Sequence, residues 1–240
     1  MIVNNASTDV AVVVPAAGSG SRLGGRRKQF RHLGGAPLLV QTLRCFERHP
    51  EVEAIVVAGP PDDAGGEELA AELRDAGISK LYAVVRGGST RQESVRQGVD
   101  ATPASASILL IHDAVRPFVS ADELSAVIAA VRHHGAAALA SPATDTMRHG
   151  TTDGFFDTTV DRSTLFHVQT PQGFRREWIV DAFAQADRAG WDVTDDVELV
   201  MRTGRRVAIV EGSSRNIKIT TPADWDLAEQ LWYSWAEPTS

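Results

Sequence analysis

Cysteine is almost absent from this sequence, which has only Cys45 in 240 residues and so cannot form an intramolecular disulfide. Such scarcity is typical of proteins kept in a reducing compartment, and we expect a cytoplasmic location. No apolar run approaches the roughly 20 residues that span a bilayer. The first nine residues also lack the basic segment and apolar stretch of a secretory signal. The composition therefore predicts no membrane partner and no secretion.

Positive charge is also in short supply. The 24 lysines and arginines are outnumbered by 31 acidic residues, which leaves a formal net charge of −7. This balance argues against nucleic acid as a partner, although a local basic pocket could still hold one small anion. The seven histidines show neither an H-E-x-x-H pattern nor paired cysteines nearby, so the sequence predicts no structural zinc site.

What remains is an ordinary globular composition, with 43% hydrophobic and 23% charged residues. Six short apolar runs predict strands at residues 10–14, 54–58, 80–85, 108–111, 136–140 and 206–210. Seven segments with helical spacing predict helices at residues 38–48, 67–76, 91–99, 121–133, 176–188, 195–202 and 223–235. We expect N-caps at Asp62 or Asp63, Thr90, Ser120 and Thr221. Strands that are apolar on both faces and alternate with helices indicate a mostly parallel sheet covered on both sides. We therefore expect an α/β, Rossmann-like twisted sheet within a single domain, residues 1–240.

Residues 141–174 break this alternation. They are rich in threonine and aspartate and contain the turn dipeptide Asp153-Gly154, which is typical of a hairpin. We expect this segment to form a β-arm that protrudes from the α/β body. Because so long an arm is hard to stabilise alone, we expect it to pack against a second subunit of a homodimer.

A glycine-rich segment follows the first predicted strand and reads PAAGSGSRLGGRRK over residues 15–28. Small residues let backbone N–H groups approach phosphate oxygens, and Arg22 and Lys28 add fixed positive charge. A dinucleotide fingerprint is excluded because Leu23 replaces its third glycine, and a Walker loop is excluded because Gln29 follows Lys28. The segment is consistent with a triphosphate site or with an ordinary glycine-rich turn.

Further segments recur in a definite order along the chain. They are GGSTRQESV at 87–95, HDAVRP at 112–117, DTM at 145–147, DR at 161–162, TPQ at 170–172, EG at 211–212 and NIKIT at 216–220. With PAAG at 15–18, this order resembles the 2-C-methyl-D-erythritol 4-phosphate cytidylyltransferases of non-mevalonate isoprenoid synthesis. The related ribitol-5-phosphate cytidylyltransferases are the alternative. Val115 slightly favours them, because the erythritol family often has alanine at that position. PAAG and RQESV favour the erythritol family. Arg27 and Arg148 stand where that family often has proline and lysine.

The resemblance implies transfer of CMP from CTP to 2-C-methyl-D-erythritol 4-phosphate, with release of pyrophosphate and with Mg2+ as cofactor. It implies catalytic roles for Arg22, Lys28 and Lys218. It implies nucleotide contacts from Pro15, Ala16, Ala17, Gly18, Gly88, Ser94, Asp113 and Ala114, with Asp113 also holding the metal. It implies alditol-phosphate contacts from Arg116, Thr146, Arg162, Thr170 and Thr194, with Thr146 and Arg162 acting across a dimer.

Several of these residues have plainer interpretations. Asp113 ends an apolar strand, where a carboxylate is costly unless paired, and a salt bridge to Arg116 would satisfy it. Ser94 could merely cap a helix, and Asp195 and Asp196 look like charges in the first turn of a helix. A nucleotide sensor without catalytic activity is the alternative of a different class, although it would not need to keep every one of the predicted cations.

Overall fold

The computed structural model describes residues 9–18, 28–60 and 66–235. Its strands in chain order are β1 Val10–Pro15, β2 His32–Leu33, β3 Ala36–Pro37, β4 Val52–Gly59, β5 Leu81–Arg86, β6 Ile108–Ile111, β7 Ala136–Pro142, β8 Arg148–Gly150, β9 Phe156–Thr159, β10 Phe166–Arg175 and β11 Ala208–Glu211. Seven of these form one sheet in the order β11-β7-β10-β6-β1-β4-β5. All neighbouring pairs in this sheet are parallel except those made by β10. The predicted mostly parallel α/β fold is confirmed.

Helices cover both faces of the sheet. They are α1 Leu38–Arg48, α2 Glu67–Asp75, α3 Arg91–Asp100, α4 Ala121–His134, α5 Arg176–Ala189, α6 Asp196–Met201 and α7 Pro222–Trp235. Helices α1, α2 and α4 pack on the face that carries Val10, Val12 and Val14 of β1. Helices α3, α5 and α6 pack on the face that carries Ala11 and Val13. Because successive side chains of a strand point to opposite faces, one apolar run supplies both cores.

The predicted N-caps explain where several helices begin. Thr90 and Ser120 each form a capping box with the glutamate three residues later. Thr221 accepts a hydrogen bond from the backbone N–H of Asp224 at 3.2 Å. The predicted cap of α2, Asp62 or Asp63, lies outside the described residues, and the residue before that helix is Gly66.

Strand β10 corrects the predicted extent of the arm. Its residues 172–175 pair antiparallel with β6, and the strand also pairs antiparallel with β7. Residues 166–174, which were expected to belong to the arm, are therefore part of the central sheet. The protruding part is residues 143–165, which include the β8–β9 hairpin, and most of its side chains are exposed. No helix in the described ranges is long and apolar enough to cross a membrane.

A third apolar cluster attaches α7 to the rest of the fold. Trp225 of α7 packs with Leu33 and Ile219. The guanidinium of Arg31 lies over the Trp225 ring, 4.1 Å from its centre. This cluster therefore joins the segment just after Lys28 to the segment just after Lys218, although the two segments are far apart in sequence.

Candidate active site

A cleft of about 430 Å³ opens at the carboxyl ends of the parallel strands, where ligands bind in open α/β sheets. Ten of the residues predicted for the site line it: Pro15, Ala16, Ala17, Gly18, Lys28, Gly88, Ser94, Asp113, Ala114 and Lys218. They come from the segments after β1, β5, β6 and β11. The predicted Arg22 lies outside the described residues.

One wall of the cleft is the segment that follows β1. Gln29 is buried beneath it, and its amide nitrogen donates to the carbonyl oxygens of Ala16 at 2.7 Å and Gly18 at 3.1 Å. The backbone N–H of Ala16 donates to the carbonyl of Ala58 at 2.8 Å. These bonds fix the backbone beside Lys28. In the sequence, Gln29 only excludes a Walker loop, and no pattern there indicates that its side chain holds the backbone of this wall.

A second wall of the cleft is the segment between β5 and α3. The Ser94 hydroxyl donates to the carbonyl of Thr90 at 2.8 Å and accepts from the backbone N–H of Gly88 at 3.1 Å. A Cβ at Gly87 would lie 2.8 Å from the carbonyl oxygen of Gly59, so glycine permits this close approach. Because Thr90 caps α3, the interpretation of Ser94 as a mere cap is wrong.

Asp113 lies at the floor of the cleft among three cations. Its Oδ2 is 2.9 Å from Nζ of Lys218 and 3.6 Å from Nε of Arg116, and its Oδ1 is 3.4 Å from Nε of Arg91. Burial alone would raise the pKa of Asp113, but the charges of Arg91, Lys218 and Arg116 hold that pKa well below its usual range. Asp113 is therefore an anion at neutral pH, and the expected salt bridge to Arg116 is present.

A buried hydrogen-bond chain holds Asp113 from behind. The Thr170 hydroxyl accepts from the backbone N–H of Asp113 at 3.1 Å and lies 3.1 Å from Nδ1 of His112. Nε2 of His112 lies 2.9 Å from the carbonyl oxygen of Arg116, which can only accept, so Nε2 carries the proton. Burial lowers the pKa of His112 to about 4, so the imidazole is neutral at neutral pH. The sequence indicated no partner for His112.

Asn216 fixes the chain just before Lys218. Its side-chain nitrogen donates to the carbonyl of Thr170 at 2.8 Å, and its own carbonyl accepts from the guanidinium of Arg116 at 2.6 Å. Asn216 is buried, whereas Lys218 is 43% exposed and faces the cleft. The guanidinium of Arg116 and the hydroxyl of Thr170 are therefore occupied by hydrogen bonds within the protein. Neither residue is part of the described cleft lining.

Three further predicted contacts lie away from the described cleft lining. Thr146 and Arg162 are exposed on the arm, where the Arg162 guanidinium donates to the carbonyl of Thr144. Thr194 is exposed and donates from its hydroxyl to Glu198 at 3.2 Å. One chain does not bring these residues together with Lys218.

Sequence reasoning also missed the paired residues Arg91 and Asp196. Arg91 lines the cleft and pairs with Asp196, whose Oδ2 is 2.8 Å from a terminal nitrogen of Arg91. Asp196 does lie in the first turn of α6, as expected, but it is only 2% exposed and is paired with Arg91. Asp195 does cap α6, because it accepts from the backbone N–H of Glu198 at 2.8 Å. Arg91 lies within the GGSTRQESV segment, which was the available signal.

The only carboxylate among the described cleft-lining residues is Asp113. No group of three or more His, Cys, Asp or Glu side chains in the described ranges could hold a metal ion by itself. Magnesium commonly binds through one or two carboxylates, with phosphate oxygens and waters completing its shell. The donor set therefore fits a magnesium ion that arrives with a phosphate ligand.

Comparisons with known proteins agree with this geometry. The family model for 2-C-methyl-D-erythritol 4-phosphate cytidylyltransferase matches residues 10–233. The chain is 50% identical to the Salinibacter ruber protein of that name over 228 residues, which cover 95% of this chain and 94% of that one. It is 42% identical to the Pelotomaculum thermopropionicum protein of the same name, with 92% and 93% covered.

Solved structures give the same result. The crystal structure of 2-C-methyl-D-erythritol 4-phosphate cytidylyltransferase from Thermus thermophilus superposes with a TM-score of 0.78 at 34% identity, covering 93% of this chain and 98% of that one. The 4-diphosphocytidyl-2C-methyl-D-erythritol synthase from Anaerococcus prevotii gives a TM-score of 0.80 at 29% identity, with 93% and 98% covered.

Proposed function

The chain belongs to the 2-C-methyl-D-erythritol 4-phosphate cytidylyltransferase family, and we propose that its cleft performs that transfer with positioned positive charge rather than a general base. It is a nucleotidyltransferase that moves CMP from CTP to 2-C-methyl-D-erythritol 4-phosphate and releases pyrophosphate, in isoprenoid synthesis. The phosphate of the acceptor is already a competent nucleophile at neutral pH. Catalysis then depends on alignment and on neutralising the charge that develops around the α-phosphorus.

The nucleotide part of CTP would bind between the two glycine-containing walls. Backbone groups of residues 15–18 and of Gly88 are the parts of the cleft that can pair with the cytosine edge and the ribose. Gln29 and Ser94 fix the two walls through the hydrogen bonds described above. Because these bonds lie within the protein, the nucleotide would enter a site whose shape is already set.

The observation that carries the proposed chemistry is the position of Lys218. Its ammonium faces the cleft and is paired with Asp113 at 2.9 Å, and Lys28 lines the same cleft. Triphosphate oxygens would compete with Asp113 for this ammonium and bring it to the α-phosphorus. Arg22, on the segment between the two described parts of this wall, would add a third cation.

Asp113 would hold the magnesium ion together with oxygens of the triphosphate. When bound, the ion supplies positive charge that neutralises the phosphates and orients them for displacement. The fit rests on the position of Asp113 as the carboxylate of the described cleft lining. Chelation of divalent cations should therefore abolish turnover, and added magnesium should restore it.

The arm would complete the acceptor site of a second subunit. Phe155 and Phe156 on the arm are 71% and 84% exposed, which is unusual for large apolar side chains and suits a subunit contact. In such a homodimer, Thr146 and Arg162 of the partner subunit would contact the alditol phosphate. Residues 1–240 would then act as one nucleotidyltransferase domain. A cytoplasmic location is consistent with the single free cysteine, Cys45.

The function is tested by pyrophosphate release. Purified protein with CTP and magnesium should release pyrophosphate when 2-C-methyl-D-erythritol 4-phosphate is added. Ribitol 5-phosphate at the same concentration should give at most a small fraction of that rate. Turnover with ribitol 5-phosphate alone would contradict the assignment, and so would an absence of turnover with both acceptors.

A further inference from the structure

A line of alternating charges runs from the cleft into the body of the protein. Lys218 pairs with Asp113, Asp113 with Arg91, and Arg91 with Asp196, at 2.9, 3.4 and 2.8 Å. Lys218, Asp113 and Arg91 line the cleft, but Asp196 lies beyond its described lining. Among the ion pairs of the described residues, Arg91 links Asp196 to the groups at the cleft.

Asp196 is badly placed for a purely structural role. Asp196 is not needed as the cap of α6, because Asp195 already supplies it. Burial raises the pKa of Asp196, although the neighbouring charge of Arg91 opposes this effect. Burying this charge therefore costs stability, which its pairing with Arg91 only partly offsets.

Its effect on Arg91 is specific. The Arg91 side chain is 29% exposed and forms part of the cleft wall, with one terminal nitrogen on Asp196 and Nε facing Oδ1 of Asp113. Two anions from distant parts of the chain thus pair with one guanidinium. Without the anchor at Asp196, Arg91 could turn to pair bidentately with Asp113 and change the orientation of that carboxylate in the cleft.

We propose that Asp196 is a positioning residue for the transfer reaction, which anchors Arg91 so that Asp113 keeps its orientation at the floor of the cleft when Lys218 moves to the phosphates. The inference rests on the proposed function and assigns to this site a residue that does not itself touch substrate. Loss of the anchor should affect the chemical step more than CTP binding, because the hydrogen bonds of Gln29 and Ser94 that fix the two walls remain.

The test is Asp196→Asn, which keeps the shape and removes the charge, with Asp192→Asn as the matched control on an exposed carboxylate. We expect kcat of Asp196→Asn to fall about ten- to a hundredfold, while KM for CTP changes little and the melting temperature is kept or raised. Asp192→Asn should behave as wild type. A fall in melting temperature with unchanged kcat would show a merely structural role and overturn the proposal.

A double-mutant cycle then tests whether Asp196 acts through Arg91. In an Arg91→Leu background, adding Asp196→Asn should lower kcat little further, and Arg91→Gln can replace Arg91→Leu if the latter does not fold. Fully additive effects would overturn the proposal. Because every rate is compared with active wild type, wild-type inactivity would instead contradict the proposed function.

A spectroscopic measurement gives an answer independent of turnover. The Nε–Hε resonance of Arg91 should shift in Asp196→Asn and stay in place in Asp192→Asn. An unmoved resonance in Asp196→Asn would overturn the anchoring role, whatever the kinetics.

Discussion

Lys218 combines an exposed position with a buried partner, and this combination makes its role testable. Its side chain is 43% exposed, so removing it creates no large cavity and should cost little stability. Lys218→Ala should lower kcat by about a hundred- to a thousandfold, the loss seen when one stabilising group of a transition state is removed. Steady-state pyrophosphate release and a thermal melt together measure both effects.

Arg215→Ala is the matched control, since Arg215 is an exposed cation three residues earlier in the same segment. The Arg215→Ala variant should keep wild-type kcat. Turnover of Lys218→Ala within a few-fold of wild type would remove Lys218 from the catalytic set.

His112 should make stability depend on pH. Its ordinary pKa of 6.5 is lowered to about 4, chiefly by burial. Between these two pH values, His112 is protonated in the unfolded chain but neutral in the folded chain. The stabilisation is therefore present above about pH 6.5 and is lost as the pH falls toward 4. Between pH 7 and pH 5 this group should remove about 2 kcal/mol from the free energy of unfolding.

Urea unfolding at the two pH values measures this loss. In His112→Gln the decrease between pH 7 and pH 5 should be smaller than in wild type by about that amount. His133→Gln, a change at an exposed histidine at the end of α4, should leave the wild-type dependence intact. Equal pH dependence in wild type and His112→Gln would contradict the assignment.

The sequence indicated most residues that line the cleft but not those that hold them. Gly88 and Lys218 lie in short motifs directly after strands, where the fold class itself predicts a site. Gln29 and Asp196 act through burial and through partners far away in the chain, which depend on packing and leave no local pattern. The same holds for His112, whose partners are Thr170 and the backbone of Arg116.

Among the elements, β10 is the sheet strand that the sequence pattern did not predict. Polar Gln169, Thr170 and Gln172 and the proline at 171 argue against a central strand, since proline cannot donate to a ladder. The structure resolves this conflict by interrupting the β7 pairing between Val168 and Gln172. The buried polar side chains bond to backbone groups and to neighbouring loops, as Gln172 does with the carbonyl of Gln169 and with Asp195 and Asp196. The other sheet strands were predictable because they are plain apolar runs.

The arm should work only across two subunits. Mixing Lys218→Ala with Arg162→Ala and allowing subunit exchange should restore about one quarter of wild-type activity, because half of a random mixture is heterodimer with one intact site. Each variant alone should stay poorly active, Arg162→Ala through weakened binding of the alditol phosphate. The recovery is measured by pyrophosphate release after exchange.

A mixture of Lys218→Ala with Lys28→Ala is the control, since both changes fall on the same side of the proposed shared site and no heterodimer site is intact. It should show no recovery. If the Lys218→Ala and Arg162→Ala mixture also failed to recover despite proven exchange, Arg162 would act within its own subunit or not in the site.

Taken together, the fold gathers charge at one edge of one sheet. The segments after β1, β6 and β11 lie far apart along the chain, yet Lys28, Asp113 and Lys218 line one cleft. Parallel strands make this possible because their carboxyl ends meet at the same edge. A chain of net charge −7 can thus present a local cationic site to a triphosphate.

The most direct measurement is a crystal structure of the protein with CTP, magnesium and 2-C-methyl-D-erythritol 4-phosphate. We expect the Nζ atoms of Lys28 and Lys218 to lie within about 3 Å of phosphate oxygens, with Lys218 released from Asp113. A triphosphate bound outside the cleft, with Lys218 still paired to Asp113, would contradict the proposed chemistry.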